Sequence, residues 1–167
     1  MEIKYLCDHM NHADSVAKWI YDEFIDGIRT GITYENILAS FKSSKKNKLP
    51  ITLVALSDSQ CIGTVSIVFN DLNSSSYTPW LSSLYVNRDF RNQKIGEKLI
   101  EKVKNIATEM GYNELFLRTE HASGYYKKLG WTYVETCDDD YNLKPDVFKI
   151  KLRETEYLCS DNLPKQY

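Results

Sequence analysis

LSSLYVNRDFRNQKIGEKLIEKVKNIATEMG, residues 81–111, is a strand, a polar turn and a long helix in one continuous stretch. Leu81 to Val86 is apolar and β-favouring apart from two serines, which reads as a strand. Asn87, Arg88 and Asp89 break the run. From Ile95 the apolar residues Leu99, Ile100, Val103, Ile106, Ala107 and Met110 recur at helical spacing along one face, and Gly111 sits where a helix C-cap belongs. Between strand and helix lies Arg91-Asn92-Gln93-Lys94-Ile95-Gly96. Such a turn brings free backbone N–H groups, the positive end of the helix dipole and two cationic side chains to one place. It is an anion site, and a phosphate fits it.

A second motif follows in order. After a further strand, Glu114 to Arg118, comes Tyr125-Tyr126-Lys127-Lys128-Leu129-Gly130-Trp131. The hexapeptide at 91–96 resembles the Arg/Gln-x-x-Gly-x-Gly/Ala pyrophosphate loop of the GNAT superfamily, the acetyl-CoA-dependent N-acetyltransferases. The heptapeptide at 125–131 resembles that family's Phe-Tyr-Glu-Lys-Leu-Gly-Phe signature. Lys94 stands where the family has its first glycine, a departure that a negative φ at that position would accommodate.

The resemblance runs from Ile3 to Leu152 and implies an α/β (α+β) GNAT fold. The sheet would be mixed but mostly antiparallel, of about seven strands flanked by about four helices in packed layers. It would splay open between the central strand and its parallel neighbour, where a pantetheine arm enters as a pseudo-strand. The chain is expected to be one domain over residues 1–167, with its core at 3–152 and a surface tail at 153–167. At 167 residues it can bury about two-thirds of its unfolded surface.

The formal charge of -2 argues against a general nucleic-acid binder. No apolar run approaches a membrane span, and no signal-peptide core is present at the N-terminus. Cys7, Cys61, Cys137 and Cys159 are scattered without zinc or redox spacing, as expected of reduced thiols in a cytoplasmic protein. His9 and His12 read as turn or cap residues, and no metal is expected.

The remaining segments read in chain order. Glu2 to Cys7 is a short strand. Asn11 or Asp14 caps a helix whose buried side carries Val16, Ala17, Trp19, Ile20 and Phe24. After breaks at Asp26-Gly27 and Gly31, a second helix carries Tyr34, Ile37, Leu38 and Phe41. Ile51 to Leu56 and Cys61 to Phe69 form a hairpin through Ser57-Asp58-Ser59-Gln60.

By resemblance, acetyl-CoA is the cosubstrate and an amine the acceptor, with the protein a monomer or homodimer. Backbone groups of Leu84, Tyr85 and Val86 would hold the pantetheine and acetyl carbonyl. Arg91, Asn92, Gln93, Lys94, Ile95 and Gly96 would grip the pyrophosphate. Tyr126 matches the tyrosine that protonates the departing sulfur as the amine attacks directly through a tetrahedral intermediate. The family's pantetheine-binding asparagine is replaced by Thr119, and its glutamate near the start of the central strand by Trp80. The general base is therefore open among Glu120, His121 and Asp71. Glu23, Asp26, Arg29, Tyr34 and the acidic loop Asp138, Asp139 and Asp140 are candidates for touching a cationic acceptor: a small amine, an aminoglycoside, a lysine or a peptide N-terminus. The alternative is a CoA-binding sensor or subunit of weak activity.

Overall fold

The computed structural model describes residues 1–152, so the expected surface tail and Cys159 lie outside the described residues. The chain opens with β1 (Glu2–Tyr5), then α1 (Ala13–Phe24) and α2 (Tyr34–Lys42). The hairpin β2 (Ile51–Ser57) and β3 (Gln60–Val68) leads to β4 (Trp80–Val86) and α3 (Ile95–Glu109). The last part is β5 (Glu114–Thr119), α4 (Ser123–Lys128), β6 (Thr132–Thr136) and β7 (Asp146–Lys151). The strands form a seven-stranded sheet in the order β1-β2-β3-β4-β5-β7-β6. Every pairing is antiparallel except β4 with β5.

Side chains on a strand alternate between faces, and β2 shows what each face packs against. Ile51, Leu53 and Ala55 join a core with Leu99, Ile100 and Val103 of α3. Val54 and Leu56 point the other way, into a core with Val16, Ala17 and Ile20 of α1 and Phe41 of α2. Helices thus cover both sides of the strand, which explains why it is apolar almost without interruption. Asp58 and Ser59 at the hairpin tip have φ of 47° and 67°, the paired left-handed conformation of a tight two-residue turn.

Two local expectations need correction. β1 stops at Tyr5, because Leu6–Asp8 winds into a 3-10 turn that removes Cys7 from the strand. Neither Asn11 nor Asp14 caps α1, whose flanking residue His12 makes no side-chain cap bond; Asp14 instead accepts from the Tyr34 hydroxyl at 3.3 Å. The well-made cap is on α2. There the Asn36 N–H donates to Thr33 Oγ1 at 3.2 Å and the Thr33 N–H to Asn36 Oδ1 at 3.0 Å, satisfying two otherwise orphaned donors reciprocally.

The sheet splays where the family resemblance places an opening. β4 and β5 share the single pairing Trp80 with Phe116, and the Phe116 N–H donates to the Pro79 carbonyl at 3.0 Å. An aromatic block clamps that end: Tyr77 stacks on Phe116 with centroids 4.7 Å apart, and Trp80 packs on both. Beyond the clamp β4 turns away. Pairing with β3 passes from Ser66–Ser82 to Thr64–Tyr85, so β4 holds one extra residue, and Ser83 there has φ of 54°. This is a β-bulge, which bends and twists its strand. It leaves Ser82 to Val86 half-buried, with no β5 partner along their free edge.

Candidate active site

The turn after β4 is built to leave donors free. Among the described residues, no backbone N–H from Asn92 to Glu97 donates to a protein acceptor; the first helical bond is Lys98 N–H to the Lys94 carbonyl at 3.1 Å. The start of α3 thus presents a run of unpaired N–H groups at the positive end of the helix dipole. Ile95 is buried in the core, so only its backbone faces this site. Gly96 keeps the approach narrow: a Cβ there would lie 3.0 Å from the Tyr125 hydroxyl.

Lys94 overturns the expected negative φ. Its φ is 58° and ψ 21°, squarely left-handed, the conformation that glycine adopts without strain and lysine does not. Asn92 is left-handed as well, at 62°. Arg91 is committed to the loop itself. Its Nε donates to the Val86 carbonyl at 3.0 Å, and its guanidinium lies 5.4 Å from the centre of the Tyr85 ring.

Beside β4 lies a cavity of about 680 Å³, lined by Ser82, Ser83, Leu84, Thr119 and Tyr126 together with residues of the surrounding loops. Tyr126 is buried, its ring set edge-on to Tyr125 and Trp131. Among the described residues its hydroxyl has no hydrogen-bond partner. Burial, and then the neighbouring Tyr125, push its pKa well above that of a free phenol, so the proton is retained at physiological pH. Thr119 Oγ1 accepts from the Ala122 N–H at 2.9 Å, so part of its bonding capacity goes to starting α4.

Part of the cavity wall is a set of ion pairs drawn from four segments. Arg29, buried in the α1–α2 loop, donates to the Phe24 carbonyl and to Glu120 Oε1, the latter at 2.8 Å. Arg118 of β5 reaches Asp71 through Nε at 3.4 Å and Asp139 through Nη1 at 3.2 Å. Asp71 Oδ1 also accepts from the Ser82 hydroxyl at 2.9 Å. Asp139, its side chain 2% exposed, takes the N–H groups of Tyr141 at 2.8 Å and Leu143 at 2.9 Å.

The two aspartates respond oppositely to this surrounding. Burial pushes the Asp71 pKa up, against the pull of Arg118 and Ser82. Burial acts the same way on Asp139, but the Leu143 and Tyr141 N–H groups and Arg118 outweigh it and hold the pKa low.

Of the expected acceptor residues, Glu23, Arg29, Asp139 and Asp140 line the cavity, as do all three base candidates. Asp26, Tyr34 and Asp138 do not line it. Asp26 is exposed in the turn after α1. Tyr34 is turned onto α1, against Asp14 and the Tyr21 ring. Asp138 is exposed and 4.0 Å from Lys144. Ser82, Arg118 and Tyr141 belong to the site without any sequence motif pointing to them. Trp80, in the place of the family's glutamate, is fully buried and donates to the Tyr77 carbonyl at 2.6 Å.

The splayed sheet, the bulged central strand, the turn with unpaired N–H groups and the buried tyrosine are the architecture expected of an acyltransferase fold. The Acetyltransferase (GNAT) family model matches residues 13–131, and the chain belongs to that family. An uncharacterized N-acetyltransferase of Chlorobaculum tepidum is 36% identical over 76 residues, 46% of each chain, so the chain matches about half the length of that curated relative. Among solved structures, an aminoglycoside 6'-N-acetyltransferase complexed with coenzyme A superposes with a TM-score of 0.71 at 13% identity, covering 92% of this chain and 98% of the other. A GNAT-family acetyltransferase from Staphylococcus aureus Mu50 gives 0.68 at 17% identity, covering 91% and 100%. A third, from Acinetobacter baylyi ADP1, gives 0.71 at 17%, covering 90% and 92%. At such identities the shared feature is the fold.

Proposed function

We propose that the protein transfers the acetyl group of acetyl-CoA to the primary amine of a cationic acceptor. The observation that carries the reading is the opening beside β4. Its free, bulged edge faces the cavity wall that holds Tyr126, and the unpaired N–H groups of residues 92–97 lie just beyond its end. These features fit the group. The β4 edge offers an extended thioester arm the backbone partners a fifth strand would otherwise take. The α3 N-terminus receives the pyrophosphate.

A bulge N–H near Ser83 or Leu84 is then placed to stabilise charge on the thioester oxygen as the amine attacks. Tyr126 gives its proton to the leaving sulfur. Glu23, Asp71, Glu120, Asp139 and Asp140 surround the acceptor space against the cations Arg29 and Arg118, an acidic excess that favours a positively charged amine.

The test is an acceptor panel of aliphatic diamines, aminoglycosides and short peptides with free N-termini, incubated with purified protein and acetyl-CoA while free thiol is measured. Cationic amines are expected to release thiol faster than neutral ones. No release with any amine overturns the transferase reading. A CoA-binding sensor or subunit would then remain, supported by the left-handed Lys94 and the committed Thr119 hydroxyl. It requires a CoA-dependent rise in melting temperature without turnover.

A further inference from the structure

Asp71 lies on the loop between β3 and β4, outside both motifs that mark the family. The fold nevertheless delivers its carboxylate to the foot of the bulge. The Ser82 hydroxyl donates to Asp71 Oδ1 at 2.9 Å, and the Ser83 hydroxyl lies 3.5 Å from that of Ser82. All three residues line the cavity that Tyr126 lines. A path of side-chain oxygens thus runs from the bulged edge of β4 to a carboxylate.

We propose that Ser82 and Asp71 form the proton-accepting relay of the transfer, with Arg118 holding Asp71 in place. The inference rests on the acetyltransferase reading above. The acceptor ammonium gives one proton to Ser82 Oγ as Ser82 gives its own to the Asp71 carboxylate. The freed lone pair attacks the thioester carbon, forming the C–N bond. As the C–S bond breaks, the sulfur takes the Tyr126 proton, and the second nitrogen proton returns to the Tyr126 oxygen. Asp71 releases its proton to solvent before the next turnover. Amide, thiol and one proton balance ammonium and thioester.

Among the described residues, none of the competing groups bonds to β4. Glu120 is held by Arg29 at 2.8 Å. Asp139 is closed in by two backbone N–H groups and Arg118. His121 is exposed and makes no bond to β4 among the described residues. Asp71 is faced by Ser82 from β4, Arg118 from β5, Arg29 from the α1–α2 loop and Glu120 beyond β5, and burial outweighs the cations to raise its pKa. A carboxylate raised in this way takes a proton from an amine more readily than an ordinary one does.

The experiment uses the amine from the panel that wild type acetylates fastest, with kcat and both KM values followed from about pH 5 to about pH 10, a range spanning the carboxylate and amine pKa values. Asp71→Asn keeps an acceptor for the Ser82 hydroxyl. It is expected to lower kcat by about a hundred- to ten-thousandfold, with KM for acetyl-CoA unchanged and the residual rate climbing with pH as free amine accumulates. Ser82→Ala should lower kcat by at least about tenfold, and Ser82→Thr should restore most of it.

Wild-type kcat and pH profile in Asp71→Asn overturn the proposal. A fall in Asp71→Asn with wild-type kcat in Ser82→Ala overturns the relay. Should Asp71→Asn not fold, Ser82→Ala decides alone, since it keeps the carboxylate and removes the path. Thiol release by no amine at all in wild type instead overturns the transferase reading, and the relay with it.

Discussion

The two sides of β4 are built on different principles. On one, the turn at residues 91–97 works through its backbone: unpaired N–H groups, a helix dipole and one glycine that keeps side chains out. On the other, the cavity wall proposed to receive the acceptor is built from side chains of distant segments, with Arg29 meeting Glu120 across 91 positions and Arg118 joining Asp71 to Asp139. A backbone site needs its residues contiguous, so it leaves a motif. A side-chain site needs only that the fold bring charges together, and its members can be scattered.

Tyr126 lines the cavity, and removing its hydroxyl should have the largest effect. Tyr126→Phe is expected to lower kcat by about ten- to ten-thousandfold, the smaller loss if water can protonate the sulfur. Because the anion-binding turn lies apart from that hydroxyl, the rise in melting temperature produced by CoA should be retained. Equal kcat in the two proteins, measured by thiol release, removes Tyr126 from the chemistry. Loss of the CoA shift would instead join the two sides into one site.

Asp139 tests whether the charged cavity wall also has a structural role. Asp139→Asn leaves Arg118 short of a buried charged partner and the Tyr141 and Leu143 N–H groups with a weaker acceptor. The expected loss is about 2–3 kcal/mol at neutral pH, read as the shift in urea midpoint. A carboxylate whose folded pKa lies below its unfolded 3.8 stabilises above that value and loses the effect as pH falls further. The gap between wild type and variant should therefore narrow below about pH 4. A pH-independent gap would mean that the carboxylate charge contributes nothing.

The same contrast explains what could be read from the chain. Strand, turn and helix at 81–111 were legible because periodicity and a glycine report on backbone directly, and the splay after Trp80 followed from the resemblance. The left-handed φ of Lys94 was not legible: lysine is a poor sign of it, and the turn imposes it through its neighbours. Tyr34 looked like an acceptor residue from its place at the start of α2, but its hydroxyl is turned onto Asp14 of α1. Asp71 and Asp139 were both candidates, but Arg118, which joins them, had no sequence signal, because both aspartates lie on loops whose approach to β5 depends on the folded sheet. Ser82 and Ser83 only looked like polar interruptions of an apolar strand; the bulge gives them a common face with Asp71.

Lys94 gives a smaller effect, on the backbone side. A non-glycine residue in the left-handed region carries about 1–2 kcal/mol of strain, while glycine adds about 0.4–1 kcal/mol of unfolded-chain entropy. Lys94→Gly is thus expected to stabilise the free protein by up to about 1 kcal/mol, raising its melting temperature by roughly 2–4 °C at this chain length. If the lysine charge also holds a phosphate, the same variant binds CoA more weakly, and its affinity depends less on salt. Higher stability with unchanged CoA affinity would show that the site relies on its backbone alone.

Asp140 should give the smallest effect. Unlike Asp139 it is exposed, and unlike Asp138 it lines the cavity, where it accepts from the Asn73 side-chain amide at 2.5 Å. Asn at this position keeps that bond and removes only the charge. An exposed carboxylate acts on a cationic amine through solvent, where an attraction of about 1 kcal/mol or less is ordinary. Asp140→Asn should therefore raise the acceptor KM by about two- to fivefold at low salt. The difference should fade near 0.15 M, where the screening length is about 8 Å. KM for acetyl-CoA should not move, because that cosubstrate is assigned to the backbone side. A matching rise in the acetyl-CoA KM would show the field of the acidic loop crossing β4, and the division between the two sides would have to be given up.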